Sequence, residues 1–212
     1  MKLYFSPLAC SMATRIALYE ANAPATFVEV DARTKRTLAD GADFYAINPM
    51  GLVPTLALDD ATVLTENAAI LQYLADRFPA AELAPRDPIG RIRLAQWLSF
   101  IATELHKGVF NPIFDRRAPD AVKAYALERA APRLAIVDRH LTERSFLLDA
   151  FSVADAYLVT VLTWTLATPV QLSQYPALHA YSARLRERPS VARALAEERP
   201  LYAAERARNA AA

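Results

Sequence analysis

The strongest constraint on the fold is a change of hydrophobic pattern at residues 79–90. This segment, PAAELAPRDPIG, carries three prolines, and strand-like patterns occur before it but not after it. Beyond it, apolar residues recur at helical spacing, as at Leu94, Leu98, Ile101 and Leu105. The chain is therefore predicted to contain two domains of different class, with the boundary in this segment.

The region ahead of the boundary alternates between strand and helix patterns. KLYFS and TFVEVD are typical of strands, whereas residues 11–22 and 34–46 are predicted helices. VPTLALDDATVL has the pattern of an antiparallel hairpin, and TENAAILQYLADRF that of an amphipathic helix. The order βαβ-ββα predicts an α/β domain with a mixed four-stranded sheet flanked by helices.

The region after the boundary is predicted to be all-α. Helices are expected at 88–110, 120–143, 152–168, 176–187 and 190–198. The segment AERARNAAA has no apolar face to bury, so the chain is expected to fray at its end. The predicted division is an α/β domain over 1–80, a linker over 81–87, an all-α domain over 88–205 and a frayed tail over 206–212.

The segment FSVAD predicts how one of these helices begins. Ser152 can cap the helix, Asp155 can reach back to it from three residues on, and Phe151 can pack on the first turn. This capping box accounts for both polar residues, so Ser152 and Asp155 are interpreted as folding residues rather than catalytic ones.

Composition and charge exclude several classes of function. Lys and Arg total 24 against 23 Asp and Glu, without a basic stripe, so neither nucleic acid nor an acidic membrane surface is expected as a partner. The apolar tract at 156–170 is too short to span a membrane. One cysteine allows no internal disulfide, and three separated histidines lack the spacing of a metal site, so a reducing, cytoplasmic location is expected.

Three features of the α/β region carry chemistry. Cys10 lies where the first strand gives way to a helix, whose unpaired N–H groups favour a thiolate. Val53-Pro54 immediately precedes a strand and is a candidate for a cis bond, which would let a peptide-like ligand pair with Val53. Glu66 and Asn67 stand at a helix N-terminus, where a carboxylate is favoured and the Glu66 side chain can hold an ammonium.

Each of these residues also has an ordinary structural interpretation. Cys10, taken alone, is equally compatible with a small buried apolar residue. His106 beside an apolar helix stripe is more often a packed residue than a catalytic one. Lys35 and Lys107 are equally typical of a solvated charged face.

The motifs taken together resemble the cytosolic glutathione transferases, in particular the bacterial beta class with a cysteine in its active site. The matching segments are SPLACS, INPMGLVPTL, LTENAAILQYLADRF, WLSFIATELHKGVFNPIF and FSVADAYL, in family order over nearly the whole chain. The resemblance implies a thioredoxin-like N-terminal domain, an all-α C-terminal domain, a homodimer, and glutathione as co-substrate, without a metal.

The resemblance also implies roles for particular residues. Cys10 and His106 would be catalytic, and the binding residues for glutathione would be Lys35, Val53, Pro54, Glu66, Asn67, Ser99 and Lys107. Glu66 would bind the γ-glutamyl ammonium and Asn67 the adjacent carboxylate, while the two lysines would lie near the glycine carboxylate. The chain departs from the family pattern at Leu8, Asn67 and Ser99, where glycine, a small residue and asparagine are expected.

The expected activity is transfer of the glutathione sulfur to an electrophilic carbon of an apolar small molecule, with thiol-disulfide exchange through Cys10 as a second activity. Phe110 and Phe114 are candidates to border the pocket for the apolar substrate, whereas Trp97, Phe100 and Trp164 are expected in the helical core. Two alternatives stay open: a glutathione-dependent reductase, isomerase or dehalogenase, and a non-catalytic binding module of the same fold.

Overall fold

The computed structural model describes residues 1–210 and divides into two compact units. Unit 1 comprises residues 1–83 together with the C-terminal segment that begins at Pro189, and unit 2 comprises Ala84–Arg188. The units therefore depart from the predicted division, because the end of the chain belongs with the sheet and not with the other helices.

Unit 1 is built on one sheet. Its strands are β1 (Lys2–Phe5), β2 (Thr26–Glu29), β3 (Thr55–Ala57) and β4 (Val63–Thr65), and its α-helices are α1 (Ser11–Glu20), α2 (Asn67–Arg77) and α8 (Pro189–Ala210). The strand order is β2-β1-β3-β4, with β1 and β2 parallel and the other pairs antiparallel. The predicted mixed four-stranded sheet is thus confirmed.

The helix predicted over 34–46 is wrong. Asp31 accepts hydrogen bonds from the N–H groups of Arg33 and Thr34, which closes a turn in place of a helical start. Lys35 then adopts a left-handed backbone with φ +56°, and Arg36 bridges to Asp43 in antiparallel fashion. A short 3₁₀ turn at Phe44–Ala46 is the helical structure this segment forms.

The C-terminal helix α8 belongs to unit 1 because it packs on α1. Val191, Ala194 and Leu195 on α8 are buried. The frayed tail predicted over 206–212 is also incorrect as far as the structure describes it, since α8 runs to Ala210. The last two residues lie outside the described part of the chain.

Unit 2 is helical. Its elements are α3 (Pro88–Phe100), a π-helix (Ile101–Phe110), α4 (Asn111–Phe114), α5 (Asp120–Leu141), α6 (Val153–Thr163), 3₁₀ turns at Trp164–Ala167 and Leu172–Gln174, and α7 (Pro176–Arg186). The single helix predicted over 88–110 is therefore two segments of different geometry. A π-helix of ten residues is unusual, because this geometry occurs mostly as single turns, often at functional sites.

The predicted capping box at the start of α6 is confirmed. The Ser152 N–H donates to Asp155 Oδ2 at 2.9 Å, and Asp155 is fully buried. The other carboxylate oxygen accepts from the Leu147 N–H and the Tyr181 hydroxyl. All of these partners are structural, so Asp155 is accounted for without a catalytic role.

Candidate active site

Cys10 directly precedes α1, where the loop after β1 turns into the helix. Its side chain is 8% exposed, and its Sγ donates a hydrogen bond to the Val53 carbonyl at 3.3 Å. The first N–H groups of a helix lack intrahelical acceptors and stabilise an anion placed beside them. The thiol therefore lies at a helix N-terminus, which favours a thiolate, while its bond to the Val53 carbonyl favours the protonated thiol.

The Val53-Pro54 peptide bond is cis, as the sequence suggested. Pro54 is buried and Val53 is half-buried. The Val53 carbonyl is the acceptor for the Cys10 thiol. The segment that leads into β3 and the start of α1 thus meet at the thiol.

Glu66 lies at the open N-terminus of α2. Its backbone is left-handed with φ +65°, its side chain is exposed, and its carbonyl accepts from the N–H groups of Ala69 and Ile70. The N–H groups of Asn67 and Ala68 therefore stand at the end of the helix, where an anion is favoured. A carboxylate side chain beside helix N–H groups suits a ligand that carries an ammonium and a carboxylate on the same carbon.

The Asn67 side chain does not point to this open end. It is 5% exposed, its Oδ1 accepts from Thr14 Oγ1 at 2.9 Å, and its Nδ2 donates to the Cys10 carbonyl at 3.0 Å. The predicted contact between the Asn67 amide and a ligand carboxylate stays a prediction, and the structure shows the same side chain bonded to Thr14 and Cys10. The backbone N–H of this residue keeps the position that such a contact needs.

Lys35 lies on the segment between β2 and β3. Its side chain is half-buried, and this burial lowers the pKa of its ammonium, while Asp31 acts in the opposite direction. The partial burial separates Lys35 from its neighbours Arg33 and Arg36, which are exposed. It is not simply one member of a solvated charged face.

His106 lies within the π-helix, and its ring is surrounded by aromatic side chains of unit 2. Its Nδ1 is 2.7 Å from the Tyr157 hydroxyl, and its ring centroid is 4.9 Å from that of Trp164. Burial lowers the pKa of His106 to about 4, and the neighbouring Lys107 acts in the same direction. The imidazole is therefore uncharged at neutral pH.

Ser99 and Lys107 are exposed in unit 2. The Ser99 carbonyl accepts from Thr103 Oγ1 at 3.0 Å, which is an ordinary bond within the helix. Their predicted contacts to glutathione stay predictions. In the described residues 1–210 no group of three or more His, Cys, Asp or Glu is placed to hold a metal ion, and no helix is long and apolar enough to cross a membrane.

The sequence analysis did not identify two residues near Cys10, which are Thr14 and Glu198. Glu198 is fully buried on α8, forms an ion pair with Arg15 at 2.7 Å, and accepts the Leu8 N–H at 2.7 Å. Leu8 has a left-handed backbone with φ +56°, two residues before Cys10. No local signal could have found the Leu8–Glu198 bond, because it joins residues 190 positions apart.

Comparisons with known proteins agree with this geometry. Residues 9–77 match the family model for the glutathione S-transferase N-terminal domain, and residues 100–189 match that for the C-terminal domain. Glutathione S-transferase GstA of Escherichia coli O157:H7 is 43% identical over 200 residues, which cover 93% of this chain and 98% of the relative.

Solved structures give the same result. A sphingomonad glutathione S-transferase complexed with glutathione has a TM-score of 0.89 and 44% identity, covering 93% of this chain and 98% of that one. The beta class enzyme of Sphingomonas chungbukensis has a TM-score of 0.89 and 43% identity, covering 94% and 99%. The chain belongs to the glutathione S-transferase family.

Proposed function

We propose that this protein is a glutathione transferase that binds glutathione beside Cys10 and transfers its sulfur to an electrophilic carbon of an apolar substrate. The observation that carries the proposal is the meeting of the Cys10 thiol, the Val53 backbone and the N-terminus of α2 in unit 1. These three groups suit the cysteinyl sulfur, the peptide backbone and the γ-glutamyl end of one tripeptide. Family membership and the glutathione complex of a 44% identical relative support the same assignment.

Different residues of the site bind different parts of glutathione. Glu66 binds the γ-glutamyl ammonium, and the N–H groups of Asn67 and Ala68 bind the adjacent carboxylate. The backbone of Val53, which precedes Pro54, pairs with the cysteinyl backbone. The glycine carboxylate is assigned to Lys35 and Lys107, and Ser99 to a polar contact with the ligand.

Catalysis rests on the sulfur being present as a thiolate. In conjugation, the glutathione thiol loses its proton to solvent, the sulfur–carbon bond forms, and the leaving group departs with its electron pair. We assign His106 a catalytic role as a neutral imidazole, with Tyr157 donating to Nδ1 so that Nε2 carries the ring proton. In conjugation Cys10 acts as the neutral thiol, whose S–H donates a hydrogen bond to the glutathione thiolate and orients it.

Cys10 also supports a second activity, thiol-disulfide exchange. Its thiolate attacks glutathione disulfide, forms a mixed disulfide, and releases glutathione as the thiolate. Cys10→Ala is expected to abolish the covalent glutathione adduct in intact-protein mass spectrometry, whereas an adduct that survives would disprove Cys10 as its attachment point. Ser11→Ala, which changes a buried neighbour, is the control and should retain the adduct.

The electrophile is proposed to bind at the aromatic group near His106 in unit 2. Phe114 is 44% exposed, and its ring lies 6.0 Å from that of Trp164, which also contacts His106. Phe110 is fully buried and packs against the rings of Phe114 and Trp164. Of the two predicted phenylalanines, Phe114 is therefore the one with an exposed face. An aryl or other apolar electrophile suits such a surface.

Two assays separate the candidate activities. Turnover of a chloronitroarene with glutathione measures conjugation, and turnover of hydroxyethyl disulfide measures exchange. Activity in the second assay alone would favour the reductase alternative. Failure of the folded protein to bind immobilised glutathione would favour a non-catalytic module.

We also propose that the protein is a cytoplasmic homodimer. Tyr45, Met50 and Leu52 are 49%, 71% and 43% exposed within one short segment of unit 1, and a second copy would remove them from water. Light scattering coupled to gel filtration should give the mass of two chains, and Met50→Lys should shift it toward one. Cell fractionation tests the location.

A further inference from the structure

The Asn67 side chain is fixed by two hydrogen bonds that leave its amide no alternative orientation. A backbone carbonyl can only accept, so the group 3.0 Å from the Cys10 carbonyl must be the amide nitrogen. The amide oxygen then faces Thr14 Oγ1 at 2.9 Å, and the Thr14 hydroxyl must donate. Asn67 therefore joins the N-terminus of α2 to Cys10, which directly precedes α1, and to Thr14 within α1.

These bonds are buried and expensive to break. Thr14 is 0% exposed and Asn67 is 5% exposed, so neither bond can be exchanged for one to water. A buried donor or acceptor that loses its partner costs about 1–3 kcal/mol. Neither bond uses the second N–H of the Asn67 amide, but a ligand carboxylate could reach it only at a side chain that is 5% exposed.

The bond from Asn67 Nδ2 to the Cys10 carbonyl holds the main chain of the residue that carries the thiol. That carbonyl also accepts the Ala13 N–H at 3.1 Å, and the Sγ of the same residue bonds Val53 at 3.3 Å. Cys10 is thus held at its main chain by α2 and at its thiol by the segment before β3. Loss of the α2 bond leaves the Cys10 carbonyl with the Ala13 N–H, so Cys10 is no longer fixed against α2 and the thiol can shift relative to the helix N–H groups that favour its thiolate.

We propose that Asn67 is a positioning residue for Cys10, acting through the Cys10 carbonyl and Thr14, and that its side chain does not bind the glutathione carboxylate. The proposal rests on the assigned role of Cys10 and deepens it. It explains why the chain tolerates asparagine where a small residue was expected: the longer side chain crosses to α1.

The test is the reactivity of Cys10 in the absence of glutathione, which a purely ligand-binding residue would not change. The rate of alkylation by iodoacetamide, measured against pH, gives the pKa of the single thiol in the chain. In Asn67→Ala the thiol pKa should rise and alkylation at pH 7 should slow at least about threefold, because the thiolate loses part of its helix stabilisation. The KM for glutathione should change less than about twofold, since the backbone N–H groups remain.

Thr14→Val is the matched variant, because it removes one hydroxyl from a residue that is fully buried and cannot touch a ligand. It should shift the alkylation profile in the same direction by a smaller amount, and it decides the question by itself if Asn67→Ala fails to fold. Gln72→Ala removes an amide on α2 that, within the part of the chain the structure describes, bonds its own helix at Ala68, and it should leave the profile unchanged.

The opposite outcome is equally clear. An unchanged alkylation profile in Asn67→Ala and Thr14→Val, together with a rise of about tenfold in KM for Asn67→Ala alone, would overturn the proposal and return Asn67 to the ligand. Failure of the proposed function is recognised separately. In that case Cys10→Ala would keep full turnover, although the alkylation profile still responded to Asn67.

Discussion

The two candidate catalytic side chains, one in each unit, are held by different means. Cys10 is fixed by residues far along the chain, since its thiol and carbonyl bond partners 43 and 57 positions away. His106 lies in a ten-residue π-helix, so its direction depends on the geometry of its own segment and on one bond to Tyr157. The position of Cys10 should therefore respond to distant substitutions in unit 1, and that of His106 to local backbone changes in unit 2.

Burial acts on an ionisable group in each unit, with opposite sign. It raises the pKa of Glu198 from 4.5 to about 7, although Arg15 and the Leu8 N–H both act to lower it. It lowers the pKa of His106 from 6.5 to about 4. Both shifts favour the uncharged form, because charge is disfavoured away from water.

The largest effect is expected from Glu198→Ala. Removal of this side chain leaves Arg15, which is 3% exposed, without its fully buried partner. Breaking a buried pair costs about 3–5 kcal/mol, so urea unfolding should show a loss of this size. Glu197→Ala, which removes a second and 38% exposed partner of Arg15, should cost clearly less. Equal losses would show that burial does not set the strength of these contacts.

The pH dependence of stability should separate the two units. Between pH 4.5 and 7 the folded state retains a proton on Glu198 that the unfolded chain releases, so this group makes the free energy of unfolding fall as pH rises. Relative to Glu198→Gln, wild type should lose up to about 3 kcal/mol over this interval. Urea unfolding at pH 5 and at pH 8 measures the difference.

His106 should give the reverse trend. Between pH 4 and 6.5 the unfolded chain binds a proton that folded His106 does not, so this group makes the free energy of unfolding rise with pH. The difference between wild type and His106→Asn should therefore grow as pH rises through this range. A trend of the same sign for both variants would contradict the assignment of opposite shifts.

A smaller effect is expected from Gly108→Ala in the π-helix. An added Cβ would lie 2.8 Å from the Thr103 carbonyl oxygen, which is backbone and cannot easily move. Overpacking of this kind costs about 1–3 kcal/mol of stability, and the better helix propensity of alanine offsets about 1 kcal/mol of that cost. A net loss of about 1 kcal/mol, and at most about 2 kcal/mol, is expected in urea unfolding. Lys107→Ala, at the exposed neighbouring position, is the control, and an equally stable Gly108→Ala would be incompatible with a π-helix that requires glycine.

The smallest effect is expected from Tyr157→Phe. The ring stays in the core while the hydroxyl that contacts His106 Nδ1 at 2.7 Å is lost. The free energy of unfolding should fall by about 1 kcal/mol. Conjugation should also slow, with kcat falling more than KM changes, because the imidazole loses the partner that orients it. Unchanged kcat would remove Tyr157 from the catalytic arrangement.

Local sequence signals predicted most of the helices and strands, and they also predicted how α6 begins. The capping box at Ser152 and Asp155 involves residues three apart, so its spacing is readable without the fold. The helix predicted over 34–46 does not form because the Asp31 carboxylate accepts hydrogen bonds from the N–H groups of Arg33 and Thr34. A bond of this kind does not change the hydrophobic periodicity from which the helix was predicted. The candidate ligand groups were found by motif, but the direction of the Asn67 side chain was not.

The sequence by itself determined the four strands, the candidate cis bond at Val53-Pro54 and the place of Cys10 ahead of a helix, because each depends on a few adjacent residues. Only the tertiary structure decided that α8 joins the sheet unit, that Glu198 reaches Leu8, and that Asn67 holds Cys10. These contacts join residues far apart along the chain, and their stability comes from burial that exists only once the chain has folded.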